Sequence, residues 1–344
     1  IFKISSFKMV FLAMKKIKVA INGFGRIGRT LARTILNHPQ IEVIAINELA
    51  DIKSIIHLWR YDSVHGRLNG EFHQTENGFT YNGSKVDVFN QMNPEFLPWG
   101  ELNVDVVVEA TGHFKDYNLA SKHITAGAKR VIISAPPIDD SVKTIVIGIN
   151  DEILNGQDLI VSNASCTTNS AAPLIKLIHE NFELESAYIT TVHSFTTDQK
   201  LHDSYHKDLR RARAATQSIV PTTTGAAKAL TKIFPDLDGF IGGCGIRVPV
   251  PDGSLTDLSC VVKKNTNIQE INYLFEKAAQ TELKGILEYT EDPIVSVDVI
   301  GNTHSCIFDA GLTSVIGKMV KVVGWYDNEV GYSNRIKDLI LKIA

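Results

Sequence analysis

Ile17-Lys18-Val19-Ala20-Ile21-Asn22-Gly23-Phe24-Gly25-Arg26-Ile27-Gly28 decides how this chain folds. The first five residues form a β-branched run that reads as a strand, and Arg29 to Leu36 carry the apolar spacing of a helix. Between them lie three glycines spaced G-x-G-x-x-G, a pattern that means something only in such a strand-to-helix setting. Gly23 permits the tight turn, Gly25 lets a pyrophosphate approach the backbone, and Gly28 allows close packing of helix on sheet. Arg26 and Ile27 belong to the same phosphate-facing turn. A second strand, Ile41 to Ile46, leads to Glu48, 20 residues beyond Gly28, where a carboxylate can accept hydrogen bonds from the adenosine ribose hydroxyls. The stretch predicts a dinucleotide site. The Glu48 charge repels a 2′-phosphate, which favours NAD over NADP.

Working outward, the strand-and-helix rhythm continues to about Ser162, with strands expected at Val104–Val108, Arg130–Ser134, Thr144–Ile149 and Leu159–Ser162. Turn-rich hairpins are expected between Glu71 and Asn90. After Cys166 the period changes. A helix runs to about His179, a long strand covers Ala187 to Phe195, and a polar loop follows. Longer strands at Ser254–Lys264 and Lys318–Tyr326 flank a helix near Gln269–Thr281. The expected fold class is α/β: a Rossmann-type doubly wound parallel sheet plus a mixed α+β catalytic domain. The first covers residues 15–164 and is completed by the C-terminal helix 329–344, and the second covers 165–328. Residues 1–14 are expected to be a disordered or non-native extension, since the apolar patch Met9–Ala13 is shorter than a signal-peptide core requires.

The 344 residues, 44% of them hydrophobic, suffice for two cores. A net charge of −3 gives no global pull toward nucleic acid or anionic membrane, and no apolar run reaches membrane-span length, so neither partner is expected. The four cysteines show no zinc or disulfide spacing, which suits a reducing, cytoplasmic location. His202 and His206 are four apart but lack further ligands, so no metal is expected.

Ser162-Asn163-Ala164-Ser165-Cys166-Thr167-Thr168-Asn169 places Cys166 at a strand-to-helix junction, where a helix N-terminus favours a reactive thiolate. His193 ends the next long strand and is the natural base for that thiol. Cys244, Cys260 and Cys306 read instead as small buried hydrophobes.

These segments, together with His193-Ser194-Phe195-Thr196, Arg210 to Ala214, Pro221 to Lys228 and Trp325 to Glu329, resemble the phosphorylating glyceraldehyde-3-phosphate dehydrogenase family. The resemblance implies a homotetramer that oxidises a phosphorylated aldehyde through a thioester, with inorganic phosphate releasing the acyl group. It implies Cys166 as nucleophile and His193 as base. Thr196 and Arg247 match the family's substrate-phosphate pocket; Ser165, Thr167, Thr224 and Gly225 match the inorganic-phosphate pocket, with Arg211 between them. Asn328 matches the residue that holds the nicotinamide amide, and Thr111 and Ser134 the lining of the cofactor cleft. Two departures stand out: Glu48 replaces the family's usual Asp, and Ser204-Tyr205 replaces Leu-Pro in the loop before the basic run, so some NADP use is compatible with the sequence. Features shared with erythrose-4-phosphate dehydrogenase, Asn47 to Asp51 and Leu97-Pro98-Trp99, keep release to water as an alternative, and intact Gly225 speaks for phosphate. A non-catalytic binding protein that kept this fold is a further alternative, disfavoured because thiol and phosphate ligands are all retained.

Overall fold

Strands buried on both faces need continuous apolar residues, and alternate positions must serve different cores. The first sheet of this computed structural model, which describes residues 15–344, is built that way. Val19, Ile21, Val106, Val108 and Ile132 face a core shared with Leu31, Trp59 and the C-terminal helix. Ala20, Val107, Val131 and Ile133 face the opposite core, with Trp99 and Ala120. Seven strands are parallel, in the order Lys143–Thr144, Ile160–Ser162, Arg130–Ile133, Val106–Glu109, Ile17–Asn22, Ile41–Asn47 and Ser84–Phe89, and two antiparallel strands, Gly78–Tyr81 and Phe72–Thr75, complete the edge. The chain reverses its direction across the sheet at Ile17–Asn22, so the glycine loop sits at the switch point, where crevices form.

One expected strand is shorter than its apolar run. Only Lys143–Thr144 pairs, because Asn150 Oδ1 accepts the Val146 N–H at 2.8 Å, its Nδ2 donates to Thr144 O at 2.9 Å, and Gly148 turns with φ +80°. Side-chain hydrogen bonds have outcompeted the ladder, while Ile145 and Val146 stay in the core.

The second sheet is mixed, in the order Val220–Thr222, Ile241–Val248, Leu184–Ser194, Ser254–Val262, Met319–Tyr326, Cys306–Asp309 and Leu287–Thr290, with Ser314–Ile316 paired alongside Met319–Tyr326. Its covered face packs against the helix Cys166–Phe182 through Leu258, Cys260 and Val262. The C-terminal helix, Val330–Ile343, returns to the first sheet, with Tyr332, Ile336, Leu339 and Ile340 buried beside Val19 and Ile21. Ile336 is 0% exposed, so Ile336→Ala should cost about 2–5 kcal/mol. Chemical denaturation measures this, and an unchanged midpoint would show that the helix does not complete that core.

Candidate active site and cofactor cleft

A cleft of about 620 Å³ opens at the glycine loop, lined by Gly23, Gly25, Arg26, Ile27, Glu48, Thr111 and Thr197, among others. A Cβ on Gly25 would meet nothing within 4 Å, so open space lies over the loop, and the helix beginning at Arg26 has no side-chain cap on its first N–H groups. That is a cradle for pyrophosphate. Glu48 is held between the glycine loop and its own strand end: Oε2 accepts the Phe24 N–H at 2.8 Å and Oε1 the Leu49 N–H at 2.7 Å. The Arg26 guanidinium does not reach the cleft as a free donor, because Glu329 binds Nε at 2.7 Å and Asp62 binds Nη1 at 2.7 Å. Its backbone is what the loop presents. Beneath the loop runs a buried network that sequence reading missed: Glu109 Oε2 accepts from Asn22 at 2.5 Å and meets His123 Nε2 at 3.1 Å, and Trp99 donates to His123 Nδ1 at 3.0 Å.

The Cys166 position is set by strain. Ala164 adopts φ +56°, a left-handed conformation that costs a non-glycine residue about 1–3 kcal/mol, and it does so two residues before Cys166. Ser162 Oγ accepts the Ala164 N–H at 3.0 Å, and Tyr332 of the C-terminal helix donates to Ala164 O at 3.0 Å. Ser165 then caps the helix, its Oγ accepting the Thr168 N–H at 3.1 Å, and Cys166 is the first helical residue. No propensity marks an alanine for this conformation. The signal was absent from the sequence.

Cys166 Sγ stands 3.4 Å from His193 Nε2. His193 and Arg247 are register partners on parallel strands, so Arg247 Nη1 lies 2.8 Å from His193 Nδ1 and donates to Ser194 O at 3.0 Å. His193 Nδ1 also lies 2.7 Å from Ser194 O, and one nitrogen cannot both donate there and accept from Arg247. We assign the proton to Nδ1, which leaves the Nε2 lone pair facing the thiol, as a base requires. Burial, then the Arg247 charge, pull the His193 pKa down to about 3, so the imidazole is neutral. Burial pushes the Cys166 thiol up, more than Arg247 and the Thr167 N–H pull it down. That direction runs against the thiolate that the helix N-terminus alone suggested. Tyr326, whose role the sequence did not reveal, bridges Thr167 Oγ1 at 3.0 Å and Thr191 Oγ1 at 2.9 Å, tying helix to strand beneath the reacting pair.

Around the sulfur a cavity of about 180 Å³ is lined by Ser165, Cys166, Thr167, His193, Arg211, Thr224, Gly225 and Arg247. Two guanidinium groups thus share one small cavity with one thiol. Residues 17–117 match the family model for the NAD-binding domain of glyceraldehyde 3-phosphate dehydrogenase, and residues 165–328 match the model for its C-terminal domain. The chain belongs to the glyceraldehyde-3-phosphate dehydrogenase family. Relatives include glyceraldehyde-3-phosphate dehydrogenase of Geobacillus stearothermophilus, 51% identical over 330 residues that cover 95% of this chain and 98% of the relative. Glyceraldehyde-3-phosphate dehydrogenase 2 of Streptomyces avermitilis is 50% identical over 331 residues, covering the same shares of both chains. The Clostridium acetobutylicum enzyme is 49% identical over 325 residues, 93% of this chain and 96% of its own. As a member of this family the chain is an NAD-dependent oxidoreductase, and the open cradle and Glu48 fit NAD.

Against the family pattern, most expected residues meet in these two cavities, and four lie outside their linings: Gly28, packed against Gly23 O inside the loop, and Thr196, Ser134 and Asn328. Thr196 sits past the strand that carries His193, its carbonyl accepting the Gln199 N–H at 2.9 Å, and is not in the lining of the cysteine cavity. Ser134 follows the Arg130–Ile133 strand, its N–H donating to Glu109 O, outside the lining of the cleft. Asn328 is in neither lining, with Oδ1 accepting from Ser194 Oγ at 2.9 Å and Ser254 Oγ at 2.7 Å. Arg211 is held by Asp198 at 2.5 Å and Thr222 Oγ1 at 2.9 Å. His202 and His206 share no helix, and His206 Nε2 lies 3.5 Å from Asp198 Oδ1. Of the cysteines expected to be inert, Cys260 and Cys306 are buried and Cys244 is half-buried.

Proposed function

We propose that this chain catalyses the reversible, phosphorylating oxidation of D-glyceraldehyde 3-phosphate, with the acyl group carried as a thioester on Cys166. The observation that carries this reading is the single small cavity that holds the thiol, a neutral imidazole, Arg211, Arg247 and the Thr224-Gly225 wall. The Sγ–C bond forms as Cys166 adds to the aldehyde carbon, and His193 Nε2 takes the thiol proton. NAD, when bound, supplies the hydride acceptor. His193 returns that proton to the adduct oxygen, then takes it up again as the C–H bond breaks with loss of hydride and the carbonyl re-forms, leaving the thioester. A phosphate oxygen then attacks that carbonyl, the Sγ–C bond breaks, and the sulfur recovers a proton from His193.

Arg247 tunes this sequence. Its charge depresses the His193 pKa, so an anion resting on the guanidinium offsets that charge and makes the imidazole a better base when substrate is in place. Thr196 completes the proposed substrate-phosphate pocket with Arg247. Ser165, Thr167, Thr224 and Gly225 form the proposed phosphate site, Asn328 orients the nicotinamide amide, and Thr111 and Ser134 flank it. We divide the chain into an NAD-binding domain, 15–164 closed by 329–344, and a catalytic domain, 165–328. A cytoplasmic homotetramer is the assembly we favour, supported by four free cysteines and by Leu201, Tyr205, Leu209 and Ile219 exposed in and near the polar loop.

The test is NADH formation from glyceraldehyde 3-phosphate and, separately, erythrose 4-phosphate, each with and without inorganic phosphate. Triose turnover that requires phosphate is expected; turnover preferring the tetrose and indifferent to phosphate overturns the reading. A Cβ on Gly225 would project into open space, so Gly225→Val should fold and obstruct only that wall. We expect kcat/KM for phosphate to fall by about 10- to 100-fold, the loss of one or two charge-assisted hydrogen bonds, with NAD affinity unchanged.

A further inference from the structure

Away from the cysteine cavity, three segments distant in sequence bring a histidine and two carboxylates to one point. His65 lies in the turn between Tyr61–Asp62 and Gly66–Arg67, Asp252 in the turn before Ser254–Val262, and Glu329 at the start of the C-terminal helix. One donor atom from each lies within 4.8 Å of the others. His65 Nε2 is 2.8 Å from Glu329 Oε2 and 3.7 Å from Asp252 Oδ2. Ligands of a tetrahedral zinc ion, each roughly 2.0–2.2 Å from the metal, lie about 3.4 Å apart, so these separations need only small side-chain adjustments.

An independent observation concerns Asp252. Its Oδ1 accepts the Gly253 N–H at 2.8 Å, but Oδ2, on a side chain that is 0% exposed, has no hydrogen-bond partner. The neighbouring acids cannot help it and are themselves satisfied. Asp327 accepts backbone N–H groups from Glu329, Val330 and Gly301, and Asp62 binds Arg26 and the Val64 and His65 N–H groups. Arg26 holds Glu329 through both oxygens, Nε to Oε1 at 2.7 Å and Nη2 to Oε2 at 2.5 Å, so Oε2 would take the ion beside the guanidinium and in exchange for its His65 bond. A buried oxygen without a donor, inside a ring of carboxylates, is best satisfied by a cation.

We propose that His65 Nε2, Asp252 Oδ2 and Glu329 Oε2 bind a divalent cation of the zinc type. An imidazole with two carboxylates suits such borderline ions better than calcium or magnesium, which prefer all-oxygen sites. Of the three side chains, His65 lines a groove of about 520 Å³ together with Arg33, Val64, Gly301 and Val330, which gives the ion a way in. The ion would clamp the first domain, the catalytic domain and the C-terminal helix at one point.

The experiment uses full-length protein saturated with NAD and carrying Cys166→Ser, so that the active-site thiol takes no metal. Zinc affinity is measured by competition with a chromogenic chelator, beside the Asp252→Asn and His65→Gln variants. One equivalent bound, with affinity at least tenfold weaker in either variant, is expected. On protein without the His65 and Asp252 substitutions, cobalt should give the visible absorption of a tetrahedral site. No binding at millimolar zinc, or affinity unchanged in both variants, overturns the proposal, as does an octahedral cobalt spectrum.

Discussion

Cys166→Ser is expected to lower kcat by about 10⁴-fold or more while leaving NAD affinity within a factor of two. The hydroxyl is far less acidic than the thiol, and its only base, His193, has a pKa pulled down to about 3 by burial and Arg247. Such a base can share a proton with a polarisable thiol 3.4 Å away but cannot ionise an alcohol. Cys166 does not line the cofactor cleft, so binding of NAD, read by fluorescence quenching, should survive. Residual turnover above roughly a hundredth of the original would mean that the acyl group never rested on that sulfur.

Gly28→Ala should be nearly as damaging, by another route. A Cβ at position 28 would stand 2.2 Å from Gly23 O and 3.2 Å from Ile21 Cγ2. Gly23 cannot retreat, because a Cβ on it would itself meet Thr111 N at 2.7 Å: that loop is pressed against the Ala110–Thr111 backbone. Helix and loop must therefore separate, and the sheet loses the packing of Leu31 and Ala32 as well. We expect a loss of at least about 3 kcal/mol, together with loss of NAD binding. Melting and NAD titration check both. A variant with the parent's melting temperature and NAD affinity would refute the close-packing role of this glycine.

What the sequence disclosed was local chemistry. The glycine loop could be read because strand, turn and helix demand different residues within a dozen positions, and the Cys166 helix start because a strand-like run gives way to a helical period there. The pairing of His193 with Cys166 was legible in a histidine that ends the next long strand, but its geometry was not: 27 residues separate the two, and the parallel register with Ile241–Val248 is what sets the imidazole beside Arg247. Other features had no local signature. Ala164 is forced into its left-handed turn by Ser162 and Tyr332, and the Tyr326 hydroxyl finds threonines on two other elements. The direction of the Cys166 pKa escaped for a related reason: a helix N-terminus is visible in sequence, whereas burial is a property of everything around it. Thr144–Ile149 misled because an apolar run reports burial, and a turn stitched by Asn150 is buried too.

The C-terminal helix has one consequence for how the chain is made. Tyr332, Ile336, Leu339 and Ile340 fill the core under the first sheet, yet the ribosome delivers them only after the whole catalytic domain. The nascent nucleotide-binding half must therefore wait with an uncovered apolar face through the synthesis of everything between Ser162 and Val330. It is during that interval, rather than in the finished protein, that a holdase chaperone has most to offer this fold.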